Sequence, residues 1–171
     1  RPTTRASLAD KPGLEPHATT HFSIVDNAGN AVAFTYTLNT DFGSGVVVEG
    51  GGFLLNNEMD DFSAKPGVAN YYGVVGADAN SVQPGKRMLS SMSPTILVAD
   101  GKVSMVLGTQ GGSTIITSVY QTIINLLDYH MSAQQAVSAT RFHHQLWPPD
   151  LITYSISQPL PEDVIRALAD R

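Results

Sequence analysis

The chain contains, at residues 21–37, the stretch "HFSIVDNAGNAVAFTYT", in which two strand-like segments flank a cluster of turn residues. Residues 21–26 carry Phe22 and Ile24 on the same side of an alternating pattern, and residues 31–37 are rich in β-branched and aromatic side chains. The intervening "DNAGN" favours a tight turn. The stretch therefore predicts a β-hairpin with strands at 21–26 and 31–37.

Further strands and helices are predicted on the C-terminal side of this hairpin. The Asp100-Gly101 pair predicts a tight turn in a second hairpin over 95–109. Apolar runs predict short strands at 46–48, 53–55 and 151–156. Helices are predicted at 114–128, where the helix should be largely buried, from an N-cap at Ser132 to Ala139, and from Pro161 onward. The sum is an α+β layered architecture.

Composition excludes several classes of function. The 171 residues are 42% hydrophobic and 15% charged, which is typical of a globular chain long enough to bury a core. A net charge of −5, without a basic run, argues against a nucleic-acid partner. The absence of cysteine excludes thiol catalysis and thiolate metal sites. No apolar run approaches the roughly 20 residues of a membrane helix.

Residues 56–91 are dominated by Gly, Pro, Asn and Asp and are predicted to be long ordered loops, a kind of segment that often carries function. The acidic segment "NNEMDDF" contains Glu58 and Asp61, which suit a solvated turn or the binding of an ammonium group, while the ligand spacing of a calcium loop is missing. In "LSSMSP", Ser90 and Ser91 suit a carboxylate or a locally hydrogen-bonded loop.

Two further segments each have a functional and a structural interpretation. "GTQGGST" at 108–114 joins a predicted strand to a predicted helix, so that Gly111 and Gly112 favour an oxyanion or anion site or a plain tight turn. His143 and His144 are adjacent, and no third ligand with suitable spacing accompanies them, which argues against a metal site.

Thr19 and Thr20 stand where a weakly patterned leader meets the first strand. Taken alone, they are typical strand residues. The functional alternative is that one of them becomes an N-terminal nucleophile, whose freed α-amine serves as the general base.

Together these segments resemble the small subunit of γ-glutamyltranspeptidases. The resemblance rests on "TTHFSIVDNAGNAVAFTYTLNTDFGSG", "GFLLNNEMDDFSAKPG", "KRMLSSMSPT", "GTQGGSTIITS" and "RFHHQ", in this order and spacing, and extends from Thr19 to at least Trp147. It implies an N-terminal nucleophile hydrolase fold, a four-layer αββα sandwich of two stacked sheets between helices. It also implies that a precursor cuts itself between Ala18 and Thr19.

The resemblance assigns roles to individual residues. Thr19 would be the nucleophile, and Thr37 would hydrogen-bond to it. Asn39, Glu58 and Asp61 would hold the α-amino end of a γ-glutamyl group. Ser90 and Ser91 would help bind its α-carboxylate, and the amides of Gly111 and Gly112 would form the oxyanion hole.

The implied activity is hydrolysis and transfer of the γ-glutamyl group of glutathione and related amides, with an amino acid or dipeptide as acceptor and without a metal or organic cofactor. The large subunit of the same precursor would be the partner, in the periplasm or outside the cell. We expect residues 1–18 to be the end of the large-subunit region or a linker, and 19–171 to be a catalytic region truncated at its C-terminus. Two alternatives remain: a glutaryl-type β-lactam acylase of the same fold, and a non-catalytic, unprocessed module.

Overall fold

In the first hairpin, the strand pairing places the start of the first strand opposite the end of the second. A computed structural model describes residues 19–155 and 158–170. Strand β1 (Thr19–Val25) pairs antiparallel with β2 (Ala31–Thr37), with Thr19 opposite Thr37. Asp26 fixes the turn, because its Oδ1 accepts hydrogen bonds from the N–H groups of Ala28 (2.9 Å) and Asn30 (2.8 Å). The predicted hairpin is confirmed, and β1 begins two residues earlier than the sequence pattern indicates.

The two faces of this hairpin differ. One face carries Thr19, His21 and their partners Thr37 and Thr35, which are buried or half-buried. The other face is apolar yet exposed, and its rings stack: the Phe22 and Phe34 centroids are 5.1 Å apart, and those of Phe34 and Tyr36 are 6.4 Å apart. The exposed members of this apolar face are Phe22, Ile24, Val32, Phe34 and Tyr36.

The second hairpin consists of β3 (Thr95–Ala99) and β4 (Lys102–Leu107), as predicted. Asp100 and Gly101 both have positive φ, 52° and 73°, which is the backbone geometry of a tight hairpin turn. Strand β4 contacts both β1 and β2. The end of β4 therefore lies near the first hairpin, and the glycine-rich segment after it starts from there.

The strands predicted at 46–48 and 53–55 are wrong. The structure has only one isolated bridge there, between Val47 and Leu54, within a loop held by bonds from Val48 N–H to the Phe53 carbonyl and from Leu55 N–H to the Val46 carbonyl, each 2.9 Å. In the described part of the chain these segments pair only with each other, which is too little to extend a ladder. Residues 56–91 form loops with short 3₁₀ turns at Glu58–Asp61 and Asp78–Asn80.

The three predicted helices are present. A 3₁₀ turn at Gly112–Thr114 leads into α1 (Ile115–Leu127), which is followed by α2 (Ala133–Ser138) and α3 (Glu162–Ala169). Ser132 caps α2 as predicted, in a capping box with Gln135. The expectation that α1 is largely buried is wrong for the described residues, because only Ile115 and Val119 of this helix are buried in them. Its other apolar side chains have no such cover there.

A small strand pair follows α2. Strand β5 (Phe142–His143), which the sequence did not predict, pairs with β6 (Thr153–Tyr154), which is shorter than the predicted 151–156. The Gln121 side chain holds β5, because it donates to the Phe142 carbonyl (2.7 Å) and accepts from the Phe142 N–H (3.2 Å). Residue 156 lies outside the described residues.

The described chain divides into two compact units. Residues 19–119 form one, with both hairpins and the loops between them, and residues 120–155 with 158–170 belong to the other. Among the described residues, the buried apolar side chains are few: Phe62, Ile115, Val119 and Ala136. No helix in the described ranges is long and apolar enough to cross a membrane. The predicted segment 1–18 lies outside the described residues, so the boundary at Thr19 stays a prediction.

Candidate active site

A cavity of about 370 Å³ in the unit formed by residues 19–119 gathers most of the predicted site residues. These residues come from the first hairpin, the acidic segment, the serine pair and the glycine pair, which are far apart in sequence. The predicted residues that line the cavity are Thr19, Thr37, Asn39, Asp61, Ser90, Ser91 and Gly112. Glu58 and Gly111 do not line it.

Thr19 and Thr37 lie side by side at the cavity. They are directly opposite each other in the β1–β2 ladder, so their side chains share one face of the hairpin. Thr19 is only 4% exposed although it begins the strand. Thr37 Oγ1 accepts a hydrogen bond from the Asn39 N–H at 2.9 Å. Ala18, the other side of the predicted cleavage site, lies outside the described residues.

Asn39 follows β2 in a left-handed conformation with φ 78°, which Asn adopts more readily than most residues. It is 3% exposed, and its Nδ2 donates to the Asn57 carbonyl at 3.2 Å. Its own carbonyl accepts a hydrogen bond from the Tyr72 hydroxyl. These bonds hold the turn after β2 against the acidic segment.

The acidic segment places a poorly solvated carboxylate in the cavity wall. Burial is the main cause, and the nearby charges of Glu58 and Asp60 are the smaller ones, that together raise the pKa of Asp61 to about 6. Burial also raises the pKa of Glu58. In the described part of the chain, neither Asp61 nor Glu58 forms an ion pair. A cation that entered the cavity would favour the charged form of Asp61 and so offset the effect of burial and of the neighbouring carboxylates on its pKa, which means that the site favours a positively charged ligand group.

The serine pair lines the same cavity. Ser90 Oγ accepts a hydrogen bond from the Met92 N–H at 3.2 Å, and the Ser91 carbonyl accepts one from the Ser93 hydroxyl at 3.0 Å. A serine oxygen that accepts a bond still carries an O–H that can donate. The local hydrogen-bonded loop and the functional interpretation are therefore compatible here.

The glycine pair has a backbone that only glycine adopts easily. Gly111 and Gly112 have φ values of 135° and 56°. A β-carbon on Gly111 would lie 2.5 Å from Thr114 Oγ1, and one on Gly112 would lie 2.8 Å from the Tyr72 ring. Because α1 starts directly after the following 3₁₀ turn, free N–H groups and the positive end of the helix dipole lie at this point. The segment can thus stabilise a developing negative charge.

Sequence reasoning missed several residues that line the cavity. Tyr72 connects the glycine pair to the turn after β2, since its ring lies against Gly112 and its hydroxyl binds the Asn39 carbonyl. Other missed members are Phe62, Asn80, Met92 and Ile115. For Tyr72, Phe62 and Asn80 the only available signal was the prediction that the segment 56–91 consists of loops that often carry function, which does not single out a residue. Met92 and Ile115 lie outside that segment and had no such signal.

The histidine pair belongs to the other unit. His143 Nε2 is hydrogen-bonded to Gln145 Oε1 at 3.0 Å, and His144 Nδ1 accepts from the Leu146 N–H at 3.4 Å. The described residues contain no group of three acidic or histidine side chains that could hold a metal.

Comparisons with known proteins agree with one another. A sequence model of the family described as "Gamma-glutamyltranspeptidase" matches residues 2–171. A "Glutathione hydrolase proenzyme" of Pseudomonas aeruginosa is 65% identical over 158 residues, which is 92% of this chain, and one of Escherichia coli is 62% identical over 136 residues, which is 80% of it. A solved γ-glutamyltranspeptidase from Pseudomonas nitroreducens complexed with L-DON superposes with a TM-score of 0.83 at 64% identity.

The lengths covered differ between these comparisons. The superposition covers 87% of this chain and 77% of the solved one. The chain spans only 28% and 23% of the two proenzymes. It therefore corresponds to about a quarter of such a protein.

Proposed function

Because the chain belongs to the γ-glutamyltranspeptidase family, we propose that it carries the nucleophile and most of the donor pocket of an enzyme acting on glutathione and related γ-glutamyl amides. The observation that carries this proposal is the single cavity shared by the Thr19–Thr37 pair, Asp61, the serine pair and Gly112. Its wall combines a hydroxyl nucleophile with groups for an ammonium and a carboxylate, which are the two charges of a glutamyl α-carbon.

Thr19 Oγ attacks the γ-carbonyl carbon of the substrate. Its proton passes to the α-amine of the same residue, which is free once the Ala18–Thr19 bond has been cut. Thr37 assists as the cross-strand neighbour of Thr19. The amides of Gly111 and Gly112 receive the negative charge of the tetrahedral intermediate. Collapse of the intermediate expels the leaving amine, which takes the proton, and leaves a γ-glutamyl ester on Thr19.

The donor pocket recognises the α-carbon of the glutamyl group. Asp61, with Asn39, binds the α-ammonium group, which offsets the poor solvation of the Asp61 carboxylate. Glu58 does not line the cavity and supports this binding through its nearby negative charge. The Ser90 and Ser91 hydroxyls donate to the α-carboxylate. Water then attacks the ester to complete hydrolysis, or the amine of an amino acid or dipeptide attacks it to complete transfer. None of these steps calls for a metal or organic cofactor.

The partner in this scheme is the large subunit of the same precursor. Cleavage before Thr19 separates it from a small subunit that begins at residue 19 and includes the rest of this chain. The exposed apolar face of the first hairpin supports such a partner, because rings such as Phe22 and Phe34 are normally covered. The two would complete the four-layer αββα sandwich, in the periplasm or outside the cell.

The glutaryl acylase alternative is not favoured. A glutaryl group has no α-amine, so Asp61 would be buried beside it without a counter-charge. The names of the related proenzymes also point to glutathione. A non-catalytic module would have no use for the Thr19–Thr37 pair beside Gly112.

The test is Thr19→Ala in the full precursor that contains this chain. We expect the precursor to remain uncut by intact mass, and release of p-nitroaniline from γ-glutamyl-p-nitroanilide to be lost. The matched control is Thr20→Ala, the next residue along β1, which is exposed on the opposite face. An active and processed Thr19→Ala protein would refute the mechanism, and a wild type without γ-glutamyl activity would refute the function.

A further inference from the structure

Asn80 lies between the two parts of the donor pocket that are predicted to hold opposite charges. It ends the short 3₁₀ turn Asp78–Asn80, it is half-buried, and it lines the cavity. In sequence, Asn80 lies 19 residues after Asp61 and before the serine pair. No motif marks it, and the proposed chemistry gives it no role.

The side chain of Asn80 joins the two segments directly. Its Nδ2 donates to the Asp61 carbonyl at 2.7 Å, and its Oδ1 accepts from the N–H of Leu89, the residue before Ser90, at 2.9 Å. Its main-chain carbonyl also accepts from the Ser63 N–H at 3.0 Å. The main chains at Asp61 and Leu89 are therefore held at a distance fixed by one planar amide.

We propose that Asn80 is a positioning residue that sets the spacing between the α-ammonium site at Asp61 and the α-carboxylate site at Ser90 and Ser91. This inference rests on the function proposed above and deepens it. Asn80 selects for donors that carry both charges on one carbon, because only such donors must satisfy both sites at once.

The chemistry of the amide group explains why this position needs Asn. A carboxamide donates through one atom and accepts through the other, which matches a carbonyl on one side and an N–H on the other. A carboxylate at the same place keeps the acceptor for Leu89 but cannot donate to the Asp61 carbonyl, and it adds a negative charge beside an already crowded acidic segment. An alanine removes both bonds and leaves the two segments to move independently.

Ligands with one charge and ligands with two respond differently to a change in spacing. L-Glutamate engages both sites through its α-carbon. Glutarate lacks the ammonium group, and 4-aminobutyrate lacks the α-carboxylate. A ligand held at one site can follow that site when the other moves, so its affinity depends little on the spacing. Loss of the Asn80 side chain should therefore weaken the binding of L-glutamate more than the binding of either analogue.

The experiment uses the processed full enzyme with Asn80→Asp and Asn80→Ala. The readouts are KM and kcat for γ-glutamyl-p-nitroanilide and the inhibition constants of L-glutamate, glutarate and 4-aminobutyrate. In both variants we expect KM and the L-glutamate constant to rise about ten-fold, as loss of one or two buried hydrogen bonds implies, while kcat changes less than about three-fold. In Asn80→Ala the two analogue constants should also change less than about three-fold. In Asn80→Asp the added negative charge should weaken the binding of glutarate and strengthen that of 4-aminobutyrate.

The matched control is Asn30→Ala, which removes one exposed side-chain bond, from Nδ2 to Asp26 Oδ2 at 2.7 Å, in the hairpin turn. This variant should leave KM, kcat and the three inhibition constants unchanged. If Asn80→Ala is not processed, Asn80→Asp still tests the proposal because it has nearly the same shape. Equal weakening of all three inhibitors, or a fall in kcat alone, would overturn the positioning role.

The outcomes also separate the two proposals. A wild-type enzyme that releases no p-nitroaniline from the γ-glutamyl substrate contradicts the proposed function itself. An active wild type whose Asn80 variants keep its KM and its inhibition constants contradicts only the role of Asn80.

Discussion

The imidazole ring of His21 lies against the α-carbon of Gly108. A β-carbon at Gly108 would be 2.2 Å from Cε1 of His21 and 2.4 Å from its Nδ1. The ring is fixed on both sides, because Nδ1 is hydrogen-bonded to Thr35 Oγ1 (2.8 Å) and Nε2 to Ser23 Oγ (3.0 Å). Burial lowers the pKa of His21, which favours the neutral ring. The first hairpin thus contacts the start of the segment that leads to the glycine pair.

Gly108→Ala should therefore disturb both the hairpin and the glycine pair. The added methyl group cannot coexist with the ring, so the free energy of unfolding should fall by about 1–3 kcal/mol, as in other overpacked sites. We also expect a lower kcat, because the displaced segment leads to Gly111, whose amide is proposed to stabilise the oxyanion. Thermal denaturation and p-nitroaniline release measure the two effects.

A double-mutant cycle with His21→Ala isolates the contact behind this effect. In the His21→Ala background the methyl group has room, so Gly108→Ala should lower the free energy of unfolding markedly less there than in the wild type. If the losses of unfolding free energy in the two single variants simply add in the double variant, the steric contact is not the cause of the destabilisation.

Gly112→Ala should reduce kcat far more than it reduces stability. Its φ of 56° and the nearby Tyr72 ring both oppose a β-carbon, so the amide that we propose binds the oxyanion must move. Losing one oxyanion donor typically lowers kcat by about 10² to 10³. Gly29→Ala is the matched control, since Gly29 also has positive φ (85°) but has open space around it. Equal kcat losses in the two variants would argue against an oxyanion role.

The pH dependence of donor binding should follow Asp61. Because its pKa is about 6, Asp61 loses its charge as the pH falls through about 6, and with the charge it loses the attraction for the α-ammonium group. We expect KM for γ-glutamyl-p-nitroanilide to rise steeply below pH 6, while Asp61→Asn has a high KM with little pH dependence in this range. A wild-type KM that is flat from pH 5 to about 7 would contradict this assignment.

The raised pKa of Asp61 also predicts that the ionised carboxylate lowers the free energy of unfolding when no substrate is bound. Between the ordinary value of 3.8 and about 6, the folded protein binds the Asp61 proton more tightly than the unfolded chain does. Stability from this group is therefore greatest at low pH and falls as pH rises through that window. Above pH 6, Asp61→Asn should melt at a higher temperature than the wild type in the absence of ligand, and L-glutamate should stabilise only the wild type.

Local patterns predicted the two long hairpins, the three helices and the chemical types of the site residues, but not β5. Alternation and turn residues predicted both hairpins, and Ser132 predicted the start of α2. They failed at 46–48 and 53–55, because a strand needs a neighbour that no local pattern shows. The burial of α1 was also wrong, because apolar side chains around a helix do not reveal which of them the chain covers.

From the sequence alone, residue types and immediate neighbours determined which segments could carry chemistry: the threonine pair, the glycine pair and the acidic and serine segments. The choice of Thr19 as nucleophile and the role of each segment came from the family resemblance of those motifs. Only the tertiary structure decided that these segments share one cavity, that Asp61 is desolvated enough to shift its pKa, and that Tyr72 and Asn80 belong to the same wall. The physical reason is that burial and hydrogen bonds across long loops depend on distances between residues far apart in sequence. Asn80 shows this most clearly, since its two partners, Asp61 and Leu89, lie on either side of it along the chain.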